Sequence, residues 1–140
     1  MTVKDFLKDI KRKNASLDML KEQLEKLRSM AVYKSPVMDD IGGFGSPNVH
    51  SKEDLYAKIA ETSEKLDRMQ IELIEDIRKA TEMIMSLKDA RTLQIFSMRY
   101  LNYQTWESIA DSLDITFQWV HKLHGRGLRE LNERYKNFLN

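Results

Sequence analysis

The sequence predicts an all-α fold, in which two long helices precede a compact group of short ones. Two observations support this prediction. Apolar residues recur at alternating three- and four-residue steps along most of the chain, which places them on one face of a helix. Glycine and proline are concentrated in one segment between those stripes. A chain of 140 residues with 41% hydrophobic and 32% charged residues is also typical of a globular protein.

The first predicted helix has a heptad-like apolar stripe, which favours a coiled coil or a long helical hairpin. Lys13 interrupts this stripe, and the neighbouring Asn14 and Ser16 favour helix caps over helix interiors. We therefore expect a local break near these residues. The apolar positions of the stripe are Val3, Phe6, Ile10, Leu17, Leu20, Leu24, Leu27 and Ala31.

The second predicted helix begins near Ser51, a suitable N-cap, and Glu53 and Asp54 suit the positive end of the helix dipole. In its second half the apolar stripe widens, so this half should need cover from another helix or a second chain. The residues that widen it are Ile74, Ile77 and Ile84. The main stripe consists of Leu55, Ile59, Leu66, Met69, Leu73, Ala80, Met83 and Leu87.

The segment 32–50 separates these helices and contains both prolines of the chain. Its length favours a flexible linker or a functional loop. The stretch Gly42–Ser46 lacks the Gly-Lys-Ser/Thr ending of a phosphate-binding loop, so we expect no nucleotide there. We assign residues 1–87 to oligomerisation or interaction and residues 88–140 to a separate domain.

The stretch from Asp89 to Leu131 predicts two short helices joined by a tight turn, the spacing of a helix-turn-helix. Thr105 and Thr116 are suitable N-caps, and Asp114 can adopt a left-handed turn conformation. Small residues should mark the close approach of this helix pair, namely Ala110 and Gly127. The expected inward positions are Ile109, Ala110, Leu113, Val120, His124, Gly127, Leu128 and Leu131.

This C-terminal stretch resembles region 4 of bacterial sigma factors. Trp106 and the final piece Lys122–Leu128 sharpen the likeness to small phage and prophage regulators of Gram-positive bacteria that have a region-4-like domain alone. The resemblance implies a helix-turn-helix domain that binds promoter DNA and contacts RNA polymerase. Its matching segments are Asp89–Leu101, Thr105–Ala110, Ile115, Thr116 and Val120.

The resemblance also places DNA contacts on the exposed first turns of the second helix. Gln118 can pair with adenine, Lys122 can reach guanine or phosphate, and Phe117 can contact a thymine methyl or enter between bases. Trp119 either turns inward to close the gap to the preceding helix, which we favour, or stays exposed as an apolar anchor. The predicted DNA-binding residues are Thr116, Phe117, Gln118, His121, Lys122 and Arg126.

Charge is unevenly spread along the chain. Residues 32–87 are acidic, with seven Lys and Arg against eleven Asp and Glu, whereas residues 88–140 have eight against six. Because DNA affinity grows with the number of phosphates neutralised, so weak an excess predicts weak binding by one domain. We therefore expect a homodimer or a higher homo-oligomer.

Catalytic and metal-binding patterns are not recognisable in the sequence. The absence of cysteine removes thiol nucleophiles and thiolate metal sites. Of the three histidines, His124 occupies a core-type position and is expected to be a hydrogen-bonded structural residue. The sequence predicts a non-enzyme without cofactor or metal. The lack of a long apolar run or a signal peptide predicts a cytoplasmic protein with no membrane partner.

The resemblance implies a phage-encoded transcription regulator that binds double-stranded DNA. Two alternatives remain open at this point. One is the small DNA-recognition subunit of a phage packaging terminase, which also joins a helix-turn-helix to an oligomerising helical part. The other is a protein-interaction module without DNA binding, in which Phe117 and Trp119 contact a partner protein.

Overall fold

The computed structural model describes residues 1–33 and 51–137. Within these residues all regular secondary structure is helical, which confirms the predicted all-α class. None of the described helices is long and apolar enough to cross a membrane. The predicted loop near residues 32–50 falls, from residue 34 onward, outside the described residues. The helices are α1 (Val3–Tyr33), α2 (Ser51–Met85), α3 (Ala90–Phe96), a π-helical turn (Ser97–Leu101), α4 (Trp106–Leu113) and α5 (Phe117–Arg134).

Helix α1 is continuous, so the expected break near Asn14 and Ser16 is wrong. Ile10, Leu17 and Leu24 follow one another at seven-residue steps, and all three are buried. Keeping them on one buried stripe outweighs the weak preference of two polar residues for a cap, because each buried aliphatic side chain contributes about 1.5–3 kcal/mol.

The described chain divides into two compact units. One comprises Met1–Lys13 with Leu73–Asn140, and the other is Asn14–Glu72. The latter, which we call the hairpin unit, contains the rest of α1 and the first half of α2. Its buried apolar residues are Leu17, Leu24, Leu55 and Leu66. The predicted division of function at residue 87 stays a prediction.

The first turns of α1 belong to the same unit as the C-terminal helices. Val3 and Leu7 are buried, and the Val3 N–H donates to Asn132 Oδ1 at 3.2 Å. Lys13 Nζ lies 2.6 Å from Asp76 Oδ2, so the lysine that interrupts the apolar stripe is paired with an acid of α2. Leu7, which the sequence pattern missed, is one of the most completely buried side chains.

The widened stripe of α2 is covered only in part. Ile84 is buried and Ile77 is half-buried, so the chain itself supplies the cover at those positions. Ile74 keeps 66% of its surface exposed and the neighbouring Ile71 keeps 70%. The widened stripe was expected to need cover from another surface. Ile84 is covered, whereas Ile74 stays exposed.

Each C-terminal helix begins at a capping side chain. Asp89 accepts a hydrogen bond from the Thr92 N–H at 2.9 Å, and the hydroxyl oxygens of Thr105 and Thr116 each accept one at 3.1 Å. These bonds satisfy backbone donors that would otherwise lack a partner at the first turn. They confirm Thr105 and Thr116 as N-caps.

The turn between α4 and α5 has the predicted conformation. Asp114 is left-handed, with φ 54° and ψ 48°, and the following Ile115 N–H donates to the Ala110 carbonyl at 3.1 Å. The two helices that this turn joins enclose one core together with α3. Its buried members are Ile95, Ile109, Ala110, Val120 and Leu123.

Gly127 marks a close helix contact, but with a different helix from the expected one. A Cβ built on Gly127 would lie 2.7 Å from Thr92 Cγ2 and 2.8 Å from Phe96 Cζ, both on α3. Such distances leave no room for a side chain. The prediction of a close approach is therefore correct at this residue, whereas its assignment to the α4–α5 crossing is wrong.

Candidate nucleic-acid interface

Helix α5 has a buried face and an exposed face. All six predicted DNA-contacting residues are exposed: Thr116, Phe117, Gln118, His121, Lys122 and Arg126. The inward face consists of Val120, Leu123, His124, Gly127 and Leu131. Leu123 is an addition to the predicted inward set, and Leu128 is only half-buried. These inward residues fix the helix in the core, so its opposite face, which includes the aromatic residues Phe117 and Trp119, is exposed.

Phe117 and His121 lie against one another on this exposed face. Phe117 is 42% exposed, and its ring centroid is 4.4 Å from that of His121 in an edge-on arrangement. The His121 ring in turn lies 4.8 Å from the ring of Trp106 at the start of α4. These contacts restrict the motion of Phe117 while they leave much of its ring open to a ligand.

Trp119 stays on the surface, so the inward orientation that we favoured is wrong. Trp119 is 39% exposed, whereas the adjacent Val120 fills the inward position. Lys122 Nζ and Arg126 Cζ each lie 5.5 Å from a Trp119 ring centroid, within the range of cation–π contacts. Among the described residues, neither cation forms an ion pair with a carboxylate.

A groove between α3 and α5 borders Trp119, with a volume of about 510 Å³. It is lined by cations that sequence reasoning missed, Lys88 and Arg91, together with Arg126. The apolar periodicity of α5 did not indicate these two cations, because Lys88 precedes α3 and Arg91 lies within α3. The groove also contains two carboxylates, those of Asp89 and Glu130.

Both groove carboxylates have partners within the chain. Asp89 accepts hydrogen bonds from the Thr92 N–H and hydroxyl at 2.9 and 2.8 Å, and the bond from the N–H is the main reason that its pKa is lowered. Glu130 Oε2 accepts from Arg134 Nη2 at 2.9 Å and from the Lys88 N–H at 3.2 Å.

Behind the exposed face lies a buried histidine. His124 is 5% exposed, and its Nε2 shares a 2.6 Å hydrogen bond with the Tyr100 hydroxyl. Burial lowers the pKa of His124 to about 4 and raises that of Tyr100 to about 12, so both groups are neutral at neutral pH. This geometry confirms His124 as a hydrogen-bonded structural residue. Within residues 1–33 and 51–137, no group of three potential metal ligands is brought together.

The π-helical turn provides further contacts to the same region. It contains Tyr100 and also Arg99, whose guanidinium lies 4.4 Å from the Trp106 ring centroid. Arg99 Nη1 also donates to the Gln104 carbonyl at 2.9 Å. Sequence reasoning missed both roles, because they depend on contacts between separate elements.

Comparison with known proteins identifies the family but not an activity. Residues 34–132 match the family described as "Protein of unknown function (DUF1492)", and the chain belongs to this family. No curated protein and no solved structure matches the chain significantly.

Proposed function

We propose that this protein is a DNA-binding transcription regulator that reads double-stranded DNA with the exposed face of α5. The observation that supports the proposal best is the exposure of all six predicted contact residues opposite a continuous buried face. A helix fixed by its inner face can enter the major groove of DNA, whose width admits an α-helix.

The chemistry of this face suits both parts of DNA recognition. Lys122 and Arg126 are exposed and free of carboxylate partners among the described residues, so they can neutralise phosphates. The Gln118 amide can form paired hydrogen bonds with adenine, and the exposed part of Phe117 can contact a thymine methyl. Affinity would come from the cations and sequence preference from the other two residues.

The resemblance to sigma region 4 supports the more specific part of the proposal. By this likeness the protein is phage-encoded, recognises promoter DNA, and contacts RNA polymerase. It would act in the cytoplasm, where bacterial and phage DNA is transcribed. By the same likeness it is an accessory regulator. The small positive excess in residues 88–140 predicts weak binding by one domain, so the protein needs a second contact to hold its site.

Self-association would supply that second contact. On α2, Ile71 and Ile74 are 70% and 66% exposed, and in the hairpin unit Met19 of α1 is 63% exposed. Large exposed aliphatic side chains favour association with another apolar surface. Two linked DNA-binding domains gain avidity through effective concentration, without stronger contacts in either domain.

The test is selection of bound fragments from phage and host genomic DNA, followed by affinity measurements over a range of salt concentrations. Lys122→Ala with Arg126→Ala should lower the salt slope by about 2, one for each phosphate contact, without a change in melting temperature. The matched control, Lys21→Ala with Lys26→Ala, removes the same charge from exposed positions of α1 and should leave the slope nearly unchanged.

The outcomes separate the candidate functions. Enrichment of promoter fragments supports transcription regulation, whereas enrichment of a single packaging site supports the terminase subunit. If the protein retains no DNA fragment in this selection, the proposal is rejected. In that case the exposure of Phe117 and Trp119, 42% and 39%, favours a protein-interaction module, and replacing both with alanine should abolish capture of RNA polymerase.

A further inference from the structure

We propose that Trp119 is a positioning residue that holds Arg126 toward DNA and away from the carboxylates of the neighbouring groove. This inference rests on the proposed function, because it concerns the same face of α5. It assigns a role to a side chain that is outside the six predicted contact residues.

The position of Trp119 on α5 is fixed by the helix cap. The backbone N–H of Trp119 donates to Thr116 Oγ1 at 3.1 Å, so this residue belongs to the ordered first turn of the helix. Lys122 and Arg126 follow at three and seven residues, a spacing that places all three side chains on one side of a helix. Both cations lie 5.5 Å from a ring centroid of Trp119, so one indole is close to both charges.

Arg126 has an alternative partner close by. It lines the same groove as Asp89 and Glu130. The pKa of Asp89 is lowered mainly by the Thr92 hydrogen bonds, then by the charge of Arg91 and last by that of Arg126. Among the described residues Arg126 is nevertheless not within ion-pair distance of either carboxylate. Arginine forms strong paired hydrogen bonds with carboxylates. We infer that the indole favours an orientation of Arg126 in which this pairing does not occur.

A direct consequence is that DNA binding should depend on Trp119 even when every charge is retained. In Trp119→Ala, Arg126 can turn toward Glu130 or Asp89 and is then neutralised before DNA arrives. We expect the salt slope to fall by about 1, as if Arg126 itself were removed, and affinity to fall about 5- to 10-fold. Trp119→Phe keeps an aromatic face and should restore most of both quantities.

A double variant tests the competing carboxylate. Trp119→Ala with Glu130→Gln removes one alternative partner of Arg126 and should recover part of the lost slope. Glu130→Gln alone is the matched control, because it changes the net charge equally but leaves the indole in place. Equal slopes in Trp119→Ala and the double variant would show that Glu130 does not capture Arg126.

Nuclear magnetic resonance of the full chain provides a measurement that does not require DNA. The Trp119 ring should shift the side-chain resonances of Arg126 through its ring current, and the shift should disappear in Trp119→Ala and persist in Trp119→Phe. If Trp119→Ala fails to fold, Trp119→Gln takes its place, and the wild-type shift still decides whether the contact exists. Absence of the shift in the wild type overturns the inference.

The failure of this inference differs from the failure of the proposed function. A wild-type protein that binds no DNA rejects the function, whatever the resonances of Arg126 show. A wild-type protein that binds DNA, with Trp119→Ala equal to it in slope and affinity, rejects the positioning role alone.

Discussion

The C-terminal helices and the hairpin unit are both helical, but they bury their apolar residues to different degrees. In the C-terminal helices, Ile95, Ile109 and Val120 have no exposed surface. Among the described residues of the hairpin unit, the best-buried one, Leu24, keeps 3% exposure, and Met19 is 63% exposed. Short helices that pack from several directions enclose a core, whereas two long helices side by side cover only one stripe of each. Stability should therefore be concentrated in the C-terminal helices.

The sharpest test of this contrast compares core truncations in the two regions. Ile109→Ala should destabilise the C-terminal helices by about 2–5 kcal/mol, because the site is fully buried. Leu66→Ala, at a position that keeps 9% exposure, should cost less. Both tryptophans lie in the C-terminal helices, so their fluorescence during urea unfolding reports on that region, and circular dichroism reports on all helices. Equal losses at the two sites would contradict the contrast.

The buried histidine predicts that acid weakens the C-terminal helices in particular. The pKa of His124 is about 4 in the folded protein, against its usual value of 6.5. Between pH 6.5 and pH 4, His124 therefore binds a proton in the unfolded chain but stays neutral in the folded chain. The free energy of unfolding should fall by about 3 kcal/mol between pH 6.5 and pH 4, at about 1.4 kcal/mol per pH unit.

Urea unfolding followed by tryptophan fluorescence at several pH values measures this loss. His124→Gln should remove most of the pH dependence, since glutamine does not titrate. A wild-type stability that stays constant from pH 6.5 to pH 4 would show that His124 titrates normally. At the opposite limit, burial raises the pKa of Tyr100 to about 12, so stability should also fall as the pH rises from 10 through 12.

Two glycines of α5 provide a matched pair with opposite expectations. Gly127→Ala would force its Cβ into Thr92 and Phe96 and should destabilise the protein by about 1–3 kcal/mol. Gly125→Ala meets only Arg129 Nη1 at 3.8 Å and should stabilise the helix by about 0.5–1 kcal/mol. Melting temperatures of the two variants check the prediction. A stabilising Gly127→Ala would mean that α3 and α5 separate at little cost.

The smallest effect on folding is expected at the exposed aliphatic residues of α2. Ile71→Lys with Ile74→Lys should leave the melting temperature almost unchanged at low protein concentration, since both residues are largely exposed. If these residues mediate self-association, the double variant should sediment as a monomer at several micromolar, where the wild type forms a dimer. A wild type that is itself monomeric under these conditions, and still binds DNA tightly, would remove self-association from the proposal.

Local features of the fold could be predicted from the sequence. The caps at Thr105 and Thr116 and the left-handed Asp114 depend on hydrogen bonds and backbone preferences within a few residues. The exposed face of α5 follows from the period of the helix once its apolar positions are known. The six candidate contact residues came instead from the resemblance to sigma region 4, and all six are exposed.

Features that depend on the choice of neighbour could not be predicted in the same way. The partner of Gly127, the outward position of Trp119 and the hydrogen bond between Tyr100 and His124 join residues from separate elements. The periodicity of a helix shows which residues turn inward, but it does not show which helix they meet there. The partner helix depends on packing among side chains that are distant in the sequence, because only the folded arrangement determines which surfaces fit together without voids or overlap.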